Sequence, residues 1–168
     1  MKLFTRRAAR PEEEEEQEPM TTATTTTMTP ARTVTAFLTA FGQGDVATAL
    51  SVVDESVRVN LYATGLRGAG KAELGQFLVD TATAFPDLRL TVRRTIEAGP
   101  VVTVELKFEG TQAADYLGAI NQEKHLDVDQ AWRFTVEGDR IAGVDAYWCQ
   151  NQLYRRLAVK RLDQISLV

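Results

Sequence analysis

Polar and apolar side chains alternate around residue 60 in a pattern that could bind a small molecule. Arg58, Asn60 and Tyr62 share one parity, and Val59 and Leu61 share the other. Because neighbouring strand residues point to opposite faces, the three polar side chains are predicted to lie together. The Asn60 amide or the Tyr62 hydroxyl could donate to a substrate carbonyl, and Arg58 could hold an anionic or phenolate group. The other interpretation is a solvated polar face on an edge strand.

A second group of candidates lies on strand faces that are otherwise apolar. Gln130 interrupts the face of Val128, Trp132 and Phe134, and a buried amide needs hydrogen-bond partners. We therefore expect Gln130 to be either a ligand contact or a core glutamine satisfied from within the protein. Trp132 and Trp148 could form flat walls for a polycyclic substrate, although aromatic residues at such spacing also build ordinary cores.

Metal chemistry is disfavoured by the few ligands available. His125 is the single histidine, and it shares a predicted polar face with Asp127, Asp129 and Arg133. One imidazole and two carboxylates make a poor transition-metal site, so this face is predicted to be solvated or to form a subunit interface. Cys149 is the single cysteine, which excludes an internal disulfide. We predict no metal and no organic cofactor.

Length and composition indicate one ordinary globular domain. The chain has 168 residues, of which 44% are hydrophobic and 25% charged, with a formal net charge of -4. This charge argues against a nucleic-acid surface. The sequence has neither an apolar run of the roughly 18 residues that cross a membrane nor a secretory apolar region, so a cytoplasmic location is predicted.

Three regions differ in composition. Residues 1–28 contain an acidic run and a threonine-rich run with little to bury, and they are predicted to be a disordered extension. Residues 29–158 carry helical and strand periodicity and form the predicted domain. Residues 159–168 are a C-terminal tail.

The elements of that domain follow an α+β order. Thr29 and Asp45 are predicted to cap the first two helices. A strand around Val59 follows, and then a third helix that ends at Pro86. Glycines 65, 68 and 70 are predicted to form a loop. The remainder is typical of an antiparallel meander with a closing helical turn. A bent sheet wrapped around its longest helix would bury one apolar face and leave a pocket.

Local motifs support a relationship to a known family. The segments are Ala-Phe-Pro-Asp-Leu-Arg at 84–89, Gly-Thr-Gln-Ala-Ala-Asp-Tyr-Leu-Gly at 110–118 and Leu-Tyr-Arg-Arg-Leu-Ala at 153–158. Their order and spacing resemble the SnoaL-like polyketide cyclase family of the nuclear transport factor 2-like superfamily, with Gln112 where histidine is common. The resemblance implies a conical barrel in which three N-terminal helices pack on a strongly curved, mixed but mainly antiparallel sheet.

The resemblance also implies cofactor-independent acid/base chemistry. In such a ring closure a base removes a proton beside a carbonyl, and hydrogen-bond donors stabilise the enolate. The family's base is a carboxylate on the closing strand. Counting from Gly138 places it at Asp145, and counting from Ile141 or back from residues 157–158 places it at Ala146.

We take Asp145 as the candidate base, although its parity opposes that of Ala146 and Trp148. A β-bulge would have to turn it toward the pocket. The alternative is a surface or dimer-interface aspartate. The predicted pocket walls are apolar or aromatic, namely Val102, Val104, Leu106, Phe108, Trp132, Phe134 and Trp148.

The predicted function is therefore a cyclase or related enzyme of secondary metabolism, as in antibiotic biosynthesis, acting on a hydrophobic, polycyclic, polyketide-derived intermediate. The predicted partner is a second copy, bound through the polar face that bears Asp127, Asp129 and Arg133. A non-catalytic binding module is the alternative, because of Ala146 and Gln112. An epoxide-hydrolase-like enzyme is a second alternative; it needs an Asp-Arg-Asp arrangement, which Glu105 and Lys107 do not provide.

Overall fold

The computed structural model describes residues 28–160, so the predicted N-terminal extension up to Thr27 and most of the predicted tail lie outside the described residues. No helix in this range is long and apolar enough to cross a membrane. The helices are α1 (Pro30–Gly42), α2 (Val46–Ser51), α3 (Lys71–Ala84) and α4 (Gln150–Arg156). The strands are β1 (Val53–Leu61), β2 (Leu66–Ala69), β3 (Arg89–Ala98), β4 (Val101–Thr111), β5 (His125–Glu137) and β6 (Arg140–Trp148).

The helix starts follow the predicted capping residues. The Thr29 side chain accepts a hydrogen bond from the Arg32 amide, and Asp45 Oδ1 accepts one from the Thr48 amide at 3.0 Å. Helix α3 begins after Gly70, whose amide donates to Glu73 Oε2 at 2.9 Å. These contacts satisfy amide groups that lack a partner within the helix.

The six strands form one curved sheet in the order β2-β1-β6-β5-β4-β3. Strand β1 runs parallel to β6, and the other neighbouring pairs are antiparallel. Helices α1 and α3 contact the sheet on its inner, apolar face. The fold is thus the predicted α+β arrangement of helices on a mixed, curved sheet.

Aromatic rings fill the centre of the inner face. Trp132 lies with its ring centroid 6.4 Å from Phe37, 6.1 Å from Phe41 and 6.2 Å from Phe77. Phe134 packs edge-on against Phe37, and all but Phe77 are at most 1% exposed. The region for which the sequence predicts a pocket is therefore packed by side chains from α1, α3 and the sheet.

Strand β2 occupies the middle of the predicted glycine loop and includes Gly68, while Gly65 lies in the turn before it and Gly70 precedes α3. Val59 pairs with Ala69 and Leu61 with Leu66, so Asn60 alone lies opposite two residues of β2. This β-bulge requires a left-handed backbone at Gly68, where φ is +64°. The glycine that indicates a loop in the sequence instead permits a bulged strand.

Candidate functional site

The structure divides the predicted site residues between the two faces of the sheet. Asp145, Arg58, Asn60 and Tyr62 line a polar cleft of about 530 Å³ on the outer face, opposite the helices. We call this the outer cleft; its other lining residues are Ser56, Arg133, Thr135, Glu137, Ala142 and Gly143. The sequence predicts one pocket for these side chains and the two tryptophans, whereas the structure places them on opposite faces of the sheet.

Regular pairing explains why Asp145 faces outward. On β5 and β6, Arg133 pairs with Asp145 and Trp132 pairs with Ala146 without a register shift. Ala146 is completely buried in the inner face, so alternation directs Asp145 the other way. The register shift on this pair lies further along, near Ala142, and it does not reorient Asp145. The bulge that the candidate base required is absent from this part of the described chain.

Asp145 is held by two side chains. Arg133 Nη1 donates to Asp145 Oδ2 at 3.0 Å, and Asn60 Nδ2 donates to Asp145 Oδ1 at 2.8 Å. Asn60 Oδ1 in turn accepts a hydrogen bond from the Gly68 amide at 2.9 Å. Four adjacent strands are linked in this way, and the Asp145 side chain is 17% exposed.

The remaining predicted residues lie on the inner side. Gln130 Oε1 accepts a hydrogen bond from Trp132 Nε1 at 2.8 Å, so these two neighbours on the inner face are joined to each other. Trp148 is half-buried at the end of β6, and its ring stacks on Phe77 at 6.0 Å between centroids and 20° between planes. Trp148 Nε1 donates to Gln150 Oε1 at 2.8 Å.

A second cleft, of about 560 Å³, opens where α3 meets the β1–β2 hairpin. We call it the end cleft. Phe77 lies in its lining, and the hairpin contributes Leu61, Thr64, Gly65 and Leu66. Its remaining lining residues are Glu73, Gln76, Asp80 and Leu117.

The end cleft adjoins a side cleft of about 300 Å³, and both are lined by Phe77, Asp80 and Leu117. Gln76 Nε2 donates to Asp80 Oδ1 at 2.7 Å. Since no hydrogen bond within residues 28–160 engages the other carboxylate oxygen of Asp80, that oxygen is available to a ligand. Glu73 likewise has one oxygen engaged, by the Gly70 amide at the start of α3, but it lines only the end cleft, whereas Asp80 lines both clefts.

A buried tyrosine closes the inner side of the side cleft. Thr81 Oγ1 donates to the Phe77 carbonyl at 2.7 Å, so the Tyr116 hydroxyl is the donor in its 3.2 Å contact with Thr81. Burial, with a smaller contribution from the Asp80 charge, raises the pKa of Tyr116 well above its ordinary value. Tyr116 is thus a neutral donor whose proton is already used.

The loop that carries Leu117 is held in place by Gln112. This side chain is 1% exposed; its Nε2 donates to the Ala119 carbonyl at 3.2 Å, and its Oε1 accepts from the Gln122 amide at 3.1 Å. The Tyr154 hydroxyl also donates to the Leu117 carbonyl at 3.0 Å. Gln112 occupies the position at which histidine is common in the family's motif, and in this chain its side chain holds the loop by hydrogen bonds to the backbone.

The acidic outer strand face forms ion pairs. Lys107 lies 3.0 Å from Asp127 and 3.4 Å from Glu109, and Arg93 lies 3.1 Å from Asp129. The Lys107 hydrogen bond holds the pKa of Asp127 below its ordinary value. Within residues 28–160 no group of three His, Cys, Asp or Glu side chains could hold a metal ion.

Residues 31–157 match the family described as SnoaL-like polyketide cyclase, and the chain belongs to this family. The sequence has no significant match among curated proteins.

Solved structures with the same fold include IdmH from Streptomyces antibioticus, a proposed polyketide cyclase. It is 19% identical with a TM-score of 0.68, and the match covers 79% of this chain and 100% of that one. A hypothetical protein with a ketosteroid isomerase-like fold from Catenulispora acidiphila, in complex with trimethylamine, is 18% identical with a TM-score of 0.65, covering 77% and 95%. An LEH-like epoxide hydrolase from M. tuberculosis is 16% identical with a TM-score of 0.62, covering 77% and 89%. At these identities the likeness establishes the fold.

Sequence reasoning did not single out the end cleft. Glu73, Phe77 and Asp80 recur at helical spacing on α3, and this spacing was the available signal. Leu117 lies in an irregular loop whose position no periodicity predicts.

Proposed function

We propose that this protein is a cofactor-independent enzyme that acts by acid/base catalysis on an aromatic, polyketide-derived small molecule bound in the end cleft. Membership of the SnoaL-like polyketide cyclase family supports the reaction class. The observation that carries the choice of site is the position of Asp80 and Phe77 in the lining of two adjoining clefts, where a carboxylate meets an aromatic surface.

In this proposal Asp80 is the base. Its unengaged carboxylate oxygen takes a proton from the carbon beside a substrate carbonyl, and the resulting enolate carbon attacks a second carbonyl of the same molecule. One C–C bond forms, and the proton passes to the new alkoxide, so no oxidant or reductant is consumed. The second amide N–H of Gln76 is a candidate donor to the enolate oxygen.

Phe77 provides the aromatic lining of the end cleft, and the Trp148 ring stacks on it. Their stacked rings connect the lining of the end cleft to the buried aromatic cluster, which makes the surface rigid. Flat apolar surfaces favour flat apolar ligands, because burial of apolar area drives binding and ring stacking adds specificity. This supports the predicted polycyclic substrate class.

The test is proton exchange, because it detects the base without requiring the natural ring closure. A fused-ring aryl ketone whose α-hydrogens exchange slowly in D2O is incubated with protein, and its α-proton signal is followed by NMR. The wild type should accelerate exchange, and Asp80→Asn should lose the acceleration. Asp139→Asn, a variant of an exposed aspartate at the β5–β6 turn that lines neither cleft, should retain it.

Asp145→Asn discriminates between the two candidate bases in the same assay. Loss of exchange in this variant with retention in Asp80→Asn would place the chemistry at the outer cleft and contradict the proposal. Folding of each variant is checked by circular dichroism.

The second candidate function is a non-catalytic small-molecule binder, and a specific observation favours it. The inward position on β6 is Ala146, and the adjacent Asp145 faces outward, so neither side chain offers a base to the inner face. Binding of the aryl ketone without any acceleration of exchange would support this function. The epoxide-hydrolase alternative is less well supported, because Lys107 is committed to ion pairs on the outer face.

A further inference from the structure

The side chains of Arg133, Asp145 and Asn60 form a continuous chain of contacts across the outer face that ends on the β1–β2 hairpin. Its three links are Arg133 to Asp145, Asp145 to Asn60 and Asn60 to the Gly68 amide, at 3.0, 2.8 and 2.9 Å. We call these three side chains the outer relay. None of them lines the end cleft.

The relay supplies a hydrogen bond at the β-bulge, where the backbone pairing of β1 and β2 is interrupted. At the β-bulge, Asn60 lies opposite both Arg67 and Gly68, and the regular ladder is interrupted. The Asn60 side-chain oxygen accepts the hydrogen bond from the Gly68 amide at this point. A side chain at this position must present an acceptor to β2, and asparagine can do so while keeping an amide group for another partner.

Asp145 selects the orientation of the Asn60 amide. A carboxylate only accepts hydrogen bonds, so it attracts the Nδ2 group and directs Oδ1 toward Gly68. Arg133 adds an ion pair that holds the second oxygen of Asp145. The aspartate thus acts on β2 through Asn60 rather than by direct contact.

The hairpin held in this way is one wall of the end cleft. Thr64, Gly65 and Leu66 line the cleft, and Leu66 begins the strand that contains Gly68. We propose that the outer relay is a positioning device, in which Asp145 and Asn60, from the opposite face of the sheet, hold the hairpin as the wall of the end cleft and thereby determine how tightly it binds its ligand. The proposal deepens the proposed function and rests on it for the ligand.

The hairpin is also stabilised by local contacts of Arg67, which are separate from those of the relay. Arg67 Nη1 donates to the carbonyls of Leu61 and Leu66 at 3.0 and 2.8 Å, and its guanidinium lies 4.0 Å from the centroid of the Tyr62 ring. These contacts fix the shape of the turn itself. The Asn60–Asp145 contact instead ties Asn60, and through it the Gly68 amide, to β6. Strand β1 keeps its parallel backbone pairing with β6 when this contact is lost, so we expect the loss to loosen β2 and the turn while β1 stays in place.

The experiment measures hairpin opening and ligand affinity in the same variants. Asn60→Ala and Asp145→Ala should increase amide hydrogen exchange across residues 62–69. Both should also raise the dissociation constant for the aryl ketone about tenfold, which corresponds to the loss of one hydrogen bond to a charged group. The rate of α-proton exchange at saturating ketone should stay within about twofold of wild type, because Asp80 is unchanged. Thr135→Val, which alters the same outer cleft outside the relay, is the control and should resemble wild type in all three measurements.

Two further variants separate positioning from general destabilisation. Asp145→Asn keeps an acceptor for Asn60 and should restore most of the lost affinity, whereas Asn60→Asp places two carboxylates together and should be at least as weak as Asn60→Ala. A variant series with lower melting temperatures but unchanged hairpin exchange and unchanged affinity would overturn the proposal. If the wild type binds no aryl ketone, the proposed function fails, and the hydrogen exchange of residues 62–69 alone decides whether the relay holds the hairpin.

Discussion

Asp145 and Ala146 are neighbours on β6 but lie on opposite faces of the sheet. Ala146 is buried opposite Trp132, and Asp145 contacts Arg133 and Asn60 on the outer side. The two alignments of the family's acidic position differ by one residue, and this shift moves the position from the polar surface at Asp145 to the apolar interior at Ala146. The position at which a carboxylate would face the interior is occupied here by a methyl group.

Introducing an acid at that position should destabilise the protein. Ala146→Asp would bury a carboxylate in a packed, apolar region with no cationic partner in the described inner face, and we expect a loss of about 3 kcal/mol or more in the free energy of unfolding. Urea denaturation at neutral pH measures the loss. Thr135→Asp, which places the same side chain on the outer face, is the matched comparison and should cost much less. A fully stable Ala146→Asp variant would indicate an interior with room for a polar ligand.

Phe77 should contribute to both stability and binding. It packs against Trp132 and Trp148, and its removal leaves a cavity that the rigid cluster fills poorly. We expect Phe77→Ala to lose about 3 kcal/mol in urea denaturation, and Phe77→Leu about half of that. In calorimetric titration with the aryl ketone, both variants should bind more weakly than wild type. Unchanged affinity in Phe77→Ala would exclude the end cleft as the binding site.

The charge of the end cleft predicts a preference among ligands. Glu73 and Asp80 line it, Asp115 lines the adjoining side cleft, and neither lining contains Lys or Arg. An aryl ligand with a quaternary ammonium group should therefore bind more tightly than the same ligand with a carboxylate, and the difference should shrink as salt rises from 50 to about 500 mM. Equal binding of the two, or tighter binding of the carboxylate, would contradict this charge assignment.

Acid should weaken the junction between α3 and β3 through Asp87. The Thr111 amide donates to Asp87 Oδ1 at 2.7 Å and holds the pKa of Asp87 below its ordinary value. A lowered pKa in the folded state means that this stabilisation is present above about pH 4 and is lost as the pH falls below that value. The melting temperature of Asp87→Asn should therefore fall less between pH 7 and pH 3 than that of wild type. Asp139→Asn, at the β5–β6 turn, should keep the wild-type dependence, and equal pH dependence in Asp87→Asn would contradict this role.

The outer face is the surface through which we expect two copies to associate. It exposes the stacked pair Tyr62 and Tyr147, with ring centroids 4.4 Å apart and each residue 40% exposed, beside the charged groups of β5. Sedimentation equilibrium should give a dimer at micromolar concentration, and Tyr147→Glu should shift it to monomer. Val79→Glu, a change at an exposed position of α3, should leave the dimer intact. A wild type that is monomeric at all concentrations would exclude this interface.

Local sequence signals predict the elements well, because each has a local cause. Thr29 and Asp45 cap helices, Pro86 stops one, and strict alternation identifies β4 and β5. The one missed strand, β2, depends on a bulge whose glycine is indistinguishable from a loop glycine in one sequence. Its pairing with β1 is set by tertiary structure and has no signal in the local sequence.

The site was harder to predict because it depends on space between elements. Alternation places Asp145 opposite Ala146, and the structure agrees with alternation rather than with the bulge. The apolar character of Trp132 and Phe134 was predictable, but their contacts with Phe37 are set by how closely α1 approaches the sheet. A cleft is the space left between packed elements, and no periodic sequence pattern predicts its position.

The parallel pairing of β1 with β6 has a consequence for how the chain folds. Asn60 and Asp145 are 85 residues apart, so β1 acquires its second neighbour only after the last strand is available. Emerging from the ribosome, the β1–β2 hairpin presents an unpaired edge throughout the synthesis of the whole meander. Closing so long a loop is slow, and folding should wait for a late, non-local step. The strand that bears Asp145 is thus also the strand that joins the exposed β1–β2 hairpin to the meander and completes the six-stranded sheet.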